Sequence, residues 1–108
     1  MSYEAYSTDD FDKALRGLPK GEKKRVSDAI SERLCKDPRH NTKLLSASYR
    51  GLRSFRIGNT RVIFLIVDEI RAMGLENRAA HLNCEGLPDR AIKLLFVGLR
   101  KDVYEWSP

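Results

Sequence analysis

The sequence predicts an α+β fold, one small domain in which an N-terminal helical hairpin packs on an antiparallel β-sheet. Apolar residues recur at helical spacing from about residue 11 to residue 35, and at strand spacing from residue 52 onward. Gly58-Asn59 divides two of the strand-like runs as a two-residue hairpin loop does. The 108 residues, 42% hydrophobic and 32% charged, suffice for one domain with its own core and no disulfide or metal staple.

Residues 3–7, Tyr-Glu-Ala-Tyr-Ser, alternate as a short strand does. Thr8 and Asp9 follow as an N-cap, with acids in the first turn where the helix dipole favours them. Phe11, Ala14, Leu15 and Leu18 then fall at helical spacing, and Leu18-Pro19 closes that helix. A second helix is predicted from about 20 to 36. Its apolar stripe is Val26, Ala29, Ile30, Leu34 and Cys35, and Asp37-Pro38 stops it. Such a hairpin needs a sheet to cover its apolar side. Residues 39–50 read as a linker. The runs 52–57 and 60–67 read as strands, the second apolar on both faces and therefore central. Residues from about 70 to 91, with Gly74, Gly86, Pro88 and mixed charges, read as an extended connection between strands. Residues 92–97 form the last strand, and Gly98 onward a turn and a short helical coil, giving the order β-α-α-β-β-β.

Composition argues against a membrane or metal protein. The longest apolar run, Val62–Val67, has six residues, whereas a bilayer span needs roughly 20. The first residues, Met-Ser-Tyr-Glu-Ala, have neither the basic flank nor the apolar stretch of a signal peptide, so a cytoplasmic protein is expected. Cys35 and Cys84 lack a CxxC spacing and the chain has two histidines, His40 and His81, too few ligands for a zinc finger or ribbon. Free thiols, surface histidines and no cofactor are expected. Trp106 is read as covering the edge of the core.

The net charge of +5 conceals a sharper segregation. Residues 38–67 contain no acid, yet carry Arg39, Lys43, Arg50, Arg53, Arg56 and Arg61. Such a run is either a solvated basic face or the footprint of a polyanion site. The same two readings apply to Lys20, Lys23, Lys24 and Arg25 at the start of the second helix. With Gly58-Asn59 as the loop, Ile57 faces Thr60 and Arg56 faces Arg61, their Cβ atoms about 5 Å apart. Two like charges so placed repel. They either splay into water or fork together onto a phosphate. Arg53 has the opposite parity and leaves on the other face with Phe55, as an edge or solvated arginine. After Gly98 come Arg100 and Lys101, with Tyr104 one helical turn beyond Arg100. Arginines beside a tyrosine, without a histidine or carboxylate pair, point to phosphate chemistry without a metal. The arginines would stabilise charge developing at phosphorus. A tyrosine or lysine with a lowered pKa would move the proton. RNA suits such a site better than DNA, because its 2′-hydroxyl serves as nucleophile.

The run Gly51-Leu-Arg-Ser-Phe-Arg-Ile-Gly-Asn-Thr-Arg-Val-Ile-Phe64, the Asp68-Glu69 pair and the ending Val97-Gly-Leu-Arg-Lys-Asp-Val-Tyr104 resemble the RelE/ParE toxin superfamily. Phe11, Leu15, Leu18-Pro19 and Asp37-Pro38 fit as well, so the resemblance covers most of the chain outside about 70–91. The RelE branch implies the toxin of a type II toxin–antitoxin pair, a ribosome-dependent mRNA endonuclease silenced by a cognate antitoxin. By that resemblance Arg61 contacts the scissile phosphate, Arg100 stabilises the transition state, Tyr104 orients or deprotonates the 2′-hydroxyl, and Arg56 is the basic residue before the turn. Arg50, Arg53, Lys43 and Lys101 complete the expected RNA-binding set, and the ribosome and mRNA are the implied partners. Two departures stand out: Leu52 and Ser54 occupy positions where some relatives carry lysine, and Leu99 one where many carry histidine or a basic residue. The ParE branch implies instead a DNA gyrase inhibitor, and a third alternative is a nucleic-acid-binding relative that has lost catalysis.

Overall fold

The computed structural model describes residues 2–103 and 105–108. A five-stranded sheet in the order β1-β5-β4-β3-β2 forms its centre. The strands are β1 (Glu4–Ser7), β2 (Thr42–Leu44), β3 (Arg53–Ile57), β4 (Thr60–Ile66) and β5 (Ala91–Leu99). Neighbours are antiparallel except β1, which runs parallel to β5 from Glu4 opposite Ala91 to Ser7 opposite Leu94. The sheet is therefore mostly rather than wholly antiparallel. β4 lies in the middle, as its apolar residues on both faces require.

Helix α1 (Asp9–Arg16) starts where expected. The Thr8 hydroxyl accepts from the Phe11 N–H at 3.3 Å, and Asp9, Asp10 and Asp12 sit in the first turn. The same hydroxyl donates to the Leu94 carbonyl at 2.9 Å, so the cap also fastens the helix to β5. Helix α2 (Lys20–Ala29) runs on as a π-helical turn, Ile30–Leu34, before Asp37-Pro38 ends it. The predicted stripe is buried: Val26, Ala29, Ile30 and Leu34 join Phe11, Phe55, Ile57, Val62, Phe64 and Val97 in one core between helices and sheet.

Two elements depart from the sequence reading. The linker contains strand β2, whose three residues pair with β3 from Thr42 opposite Phe55 to Leu44 opposite Arg53. The extended connection opens with helix α3 (Val67–Ala72), entered directly from β4 with no loop. Asp68 and Glu69 occupy its first turn, where the dipole favours them. The connection is also a packing layer. Ile70, Leu75, Leu82 and Cys84 bury against Leu52, Ile63, Leu65, Leu95 and Val103 on the sheet face away from α1 and α2. Arg71 ties this layer together, with Nη1 2.6 Å from an Asp89 carboxylate oxygen, Nε 3.3 Å from Glu76, and Nη2 donating to the carbonyls of Cys84 and Leu87. The sheet thus carries a core on both faces. Cys84 is buried and Cys35 half-buried, both as free thiols. Among the described residues no helix is long and apolar enough to cross a membrane. The C-terminal turn forms α4 (Arg100–Val103), after which Trp106 stacks on Phe96, ring centroids 5.5 Å apart at 14°.

Gly51 and His81 test this second layer. Gly51 has φ +89°, and a Cβ there would lie 2.9 Å from Ile70 Cδ1 and 3.0 Å from Leu75 Cδ1. Gly51→Ala should therefore destabilise the chain by about 2 kcal/mol, roughly 10 °C in Tm, in a thermal melt. His81 is only half-exposed, with Nε2 buried and unbonded among the described residues, not the surface histidine expected. Burial, and then the Lys93 ammonium, hold its imidazole below the usual range. The unfolded chain then binds the extra proton more readily, so this contribution is complete above the ordinary imidazole value of about 6.5 and lost as pH falls through the folded value. The Tm should drop between pH 7.5 and pH 5, and His81→Gln should remove part of that drop.

Candidate nucleic-acid interface

The β3–β4 hairpin has the register its sequence predicts. Ile57 pairs with Thr60 and Arg56 with Arg61, around a loop in which Gly58 takes φ +59° and Asn59 stays outside the left-handed region. That is the pattern of a type II′ turn. Phe55, Ile57, Val62 and Phe64 face the helices, so the intervening Arg56 and Arg61 leave on the other face. Arg56 is exposed and Arg61 half-buried. Across β4 on the β5 side, Arg61 pairs with Gly98, which presents no side chain; a Cβ there would meet the Phe96 ring at 3.1 Å and the Asp102 Cβ at 3.6 Å. The hairpin is held in place from α2. Glu22 accepts from the buried Thr60 hydroxyl at 3.2 Å and from Arg25 at 3.2 Å, and the Arg25 guanidinium lies over Gly58.

The six basic residues of the acid-free run divide sharply. Arg53 leaves on the helix side, as its parity requires, and is held by both Glu69 carboxylate oxygens at 2.9 and 2.8 Å and by its bond to Thr42 Oγ1 at 3.2 Å. Arg39 pairs with Asp68 at 2.9 Å and lies 3.9 Å from Glu69, while the Tyr3 hydroxyl donates to Asp68 and accepts from Arg39. Two acids at the start of α3 thus neutralise two arginines. Lys43, Arg50, Arg56 and Arg61 meet no carboxylate among the described residues. Among the described residues Arg56 donates only to the Gly58 carbonyl, at 3.2 Å.

Lys43 stands opposite Ser54 on β2, on the same face as Arg56 and Arg61, and is exposed. Arg50 is exposed at the end of the 3₁₀ turn Ala47–Tyr49, whose Tyr49 hydroxyl donates to the Trp106 carbonyl at 2.6 Å. Lys101 is exposed on α4. Arg100 begins α4 directly after β5; its side chain, and Tyr104 altogether, lie outside the described residues. The structure therefore gathers Arg56, Arg61 and Lys43 on one face and removes Arg53 from it. Leu52 and Ser54 are buried, so both are packing positions where a lysine side chain has no room in water. Glu22 and Glu69 do not stand out in the sequence, because acids in a first helical turn are ordinary. Among the described residues no three His, Cys, Asp or Glu side chains are grouped as metal ligands.

No protein-family model matches the sequence, and no curated protein matches it. Solved structures do. A chain of the RelBE2 toxin–antitoxin complex from Mycobacterium tuberculosis superimposes with a TM-score of 0.69, over 93% of this chain and 100% of that one, at 20% identity. The isolated E. coli RelE toxin gives 0.62 over 96% and 93% at 16% identity. The archaeal RelE–RelB complex of Pyrococcus horikoshii gives 0.55 over 93% and 97% at 23% identity. The chain has the RelE fold. On this RelE fold the arginine hairpin, the end of β5 and the start of α4 meet at one end of the sheet, and the 67–91 layer packs farther along the same face onto which Arg56 and Arg61 leave.

The two classes of arginine should separate in a stability measurement. Arg53→Ala takes both short hydrogen bonds from Glu69, only 13% exposed, leaves it Arg39 at 3.9 Å, and should lower stability by about 2 kcal/mol. Arg56→Ala and Arg61→Ala each remove one member of a like-charged cross-strand pair and should leave Tm unchanged or slightly raised.

Proposed function

We propose that this chain is the toxin of a type II toxin–antitoxin pair and cleaves mRNA on the ribosome, in the cytoplasm. The observation that carries the reading is the Arg56–Arg61 pair. Two like charges are held opposite each other at the hairpin end, with no ion pair to a carboxylate among the described residues, although the fold neutralises Arg39 and Arg53 nearby. A phosphate between them relieves the repulsion and gains charge-assisted hydrogen bonds. The RelE and RelBE neighbours support the toxin and its antitoxin partner.

In this reading Arg61, with Arg56, holds the scissile phosphate in the space beside Gly98. The substrate's 2′-oxygen attacks phosphorus as its proton leaves to Tyr104 or Lys101. Arg100 stabilises the extra negative charge on the phosphorane. The P–O5′ bond breaks, the 5′-oxygen takes up the proton that the base received from the 2′-hydroxyl, which restores the base, and a 2′,3′-cyclic phosphate remains. Lys43, Arg50 and Lys101 attract the flanking phosphates without reading bases. No step requires a cofactor from the chain.

Purified protein in a cell-free translation reaction, with new mRNA ends mapped by primer extension, tests this. Cuts within the coding region should require ribosomes and should fall about 100-fold or more with Arg61→Ala, the scale of losing one donor to a developing anion. Cuts that survive Arg61→Ala would overturn the assignment of the arginine. Growth arrest without any cuts would turn the reading to gyrase inhibition, checked by supercoiling.

A further inference from the structure

β5 is nine residues long, but its outer neighbour β1 pairs only with Ala91–Leu94. Thr8 seals the next position, its N–H and hydroxyl both reaching the Leu94 carbonyl, at 3.2 and 2.9 Å. Beyond it, from Phe96 to Leu99, the strand pairs with β4 alone, and no cap, loop or side-chain bond reaches its backbone among the described residues. The chain then leaves a sheet edge open in its most apolar strand. Such edges recruit a further strand unless they are short, charged or covered.

This edge forms the floor of a groove of about 790 Å³, within the size range of built ligand clefts. Ala14, Leu18 and Pro19 make one wall, and Trp106 on its Phe96 stack the other. Leu99, 44% exposed, stands at its mouth. Among the described residues, the charged side chains that line it are the carboxylates of Asp10, Glu22 and Asp102 and the ammonium of Lys13. Glu22 is occupied by Thr60 and Arg25, whereas Asp10 and Asp102 meet no cation among the described residues.

We infer that this groove binds an extended segment of a partner protein, added as a strand along Phe96–Leu99, with apolar side chains at alternate positions and lysine or arginine between them. The free N–H and C=O groups of the edge supply affinity, and the walls select the side chains. The carboxylate rim excludes a nucleic-acid strand, whose phosphates belong on the opposite chemistry of the Arg56–Arg61 face. A second copy pairing β5 to β5 would bring two sets of Asp10 and Asp102 together, which like-charge repulsion disfavours. The rim equally disfavours an acidic segment. Only the naming of the source, the antitoxin, rests on the toxin reading above; the groove does not.

Trp106, the only tryptophan, reports on the site directly. The probe is an N-acetylated, C-amidated hexapeptide alternating Lys and Val, titrated into the full chain while following Trp106 emission. A saturable shift is expected. Methylating alternate backbone nitrogens of the peptide should weaken binding at least tenfold, and so should replacing Lys with Glu. Asp10→Lys combined with Asp102→Lys, with folding checked by circular dichroism, should reverse the preference between the Lys and Glu peptides. No saturable shift with the Lys peptide, or equal binding by its methylated form, would overturn strand addition. A Glu peptide that shifts Trp106 as well as the Lys peptide does would overturn the charge assignment. Self-association of the free chain that protects the Phe96–Leu99 amides from exchange would give the edge to a second copy, and an RNA oligonucleotide that displaces the peptide would give it to nucleic acid. No readout here involves RNA cleavage, so failure of the nuclease reading leaves this test intact.

Discussion

The register of the β3–β4 hairpin is the constraint on which the rest of the structure depends. Phe55, Ile57, Val62 and Phe64 are all within a few per cent of complete burial on the helix side. A slip of one residue would turn every one of them outward and drive Arg56 and Arg61 into the core. Burial of a large apolar side chain is worth about 1.5–3 kcal/mol, and four of them outweigh the repulsion between two partly solvated guanidiniums by a wide margin. The hydrophobic pattern therefore holds the arginines together against their own electrostatics. The turn agrees with it, because Gly58 takes the positive φ that the first position of a type II′ loop requires.

The same strands explain why only some of the basic residues remain available. β4 passes without a loop into α3, and the helix start needs acids for its own dipole. Asp68 and Glu69 serve that purpose and at the same time neutralise Arg39 and Arg53. Parity sends Arg53 to their side of the sheet and Arg56 to the other. A continuous basic run in sequence thus becomes a small basic face in space, made of Arg56, Arg61 and Lys43, with Arg50 nearby in the chain. Glu22 adds the third constraint. By holding Thr60 it fixes the residue beside Arg61 to the start of α2, which keeps the hairpin end from fraying.

Much of this was legible beforehand, and the parts that were not have specific physical reasons. The cap at Thr8, the buried stripe of the second helix, the central place of β4 and the Arg56–Arg61 pairing all follow from strong local periods and one turn. β2 did not, because three residues, Thr42-Lys-Leu, cannot display a period of two convincingly, and its pairing to β3 is decided by tertiary contact. α3 was hidden by the apolar run that precedes it, since Val67 continues the strand pattern while already starting the helix. The second core was illegible because Ile70, Leu75, Leu82 and Cys84 are widely and unevenly spaced. They converge only when Arg71 gathers the carbonyls and carboxylates of the connection. Which arginines are free also lay beyond the sequence, because ion pairing between Arg53 and Glu69 spans sixteen positions.

The two exposed ends of β4 and β5 are opposite in chemistry although they adjoin. On the sheet face, Arg61 stands beside Gly98 and forms no ion pair among the described residues; around the outer edge of the same strand, Phe96–Leu99 borders a groove whose described lining has more carboxylates than cations. One strand, β5, lies between both, so whatever is bound on one side is only a strand's width, about 5 Å, from the other. A single protein that covered both would need two chemically distinct stretches in succession, acidic over the arginines and apolar with basic residues along the edge. Order along that partner's chain would then set its direction of binding, since reversing the segment would place like charges against each other at both ends. A nucleic acid, uniform in its charge, could occupy the arginine face alone. The strand between them therefore separates a basic hairpin face from a groove that, among the described residues, is lined by apolar walls and carboxylates.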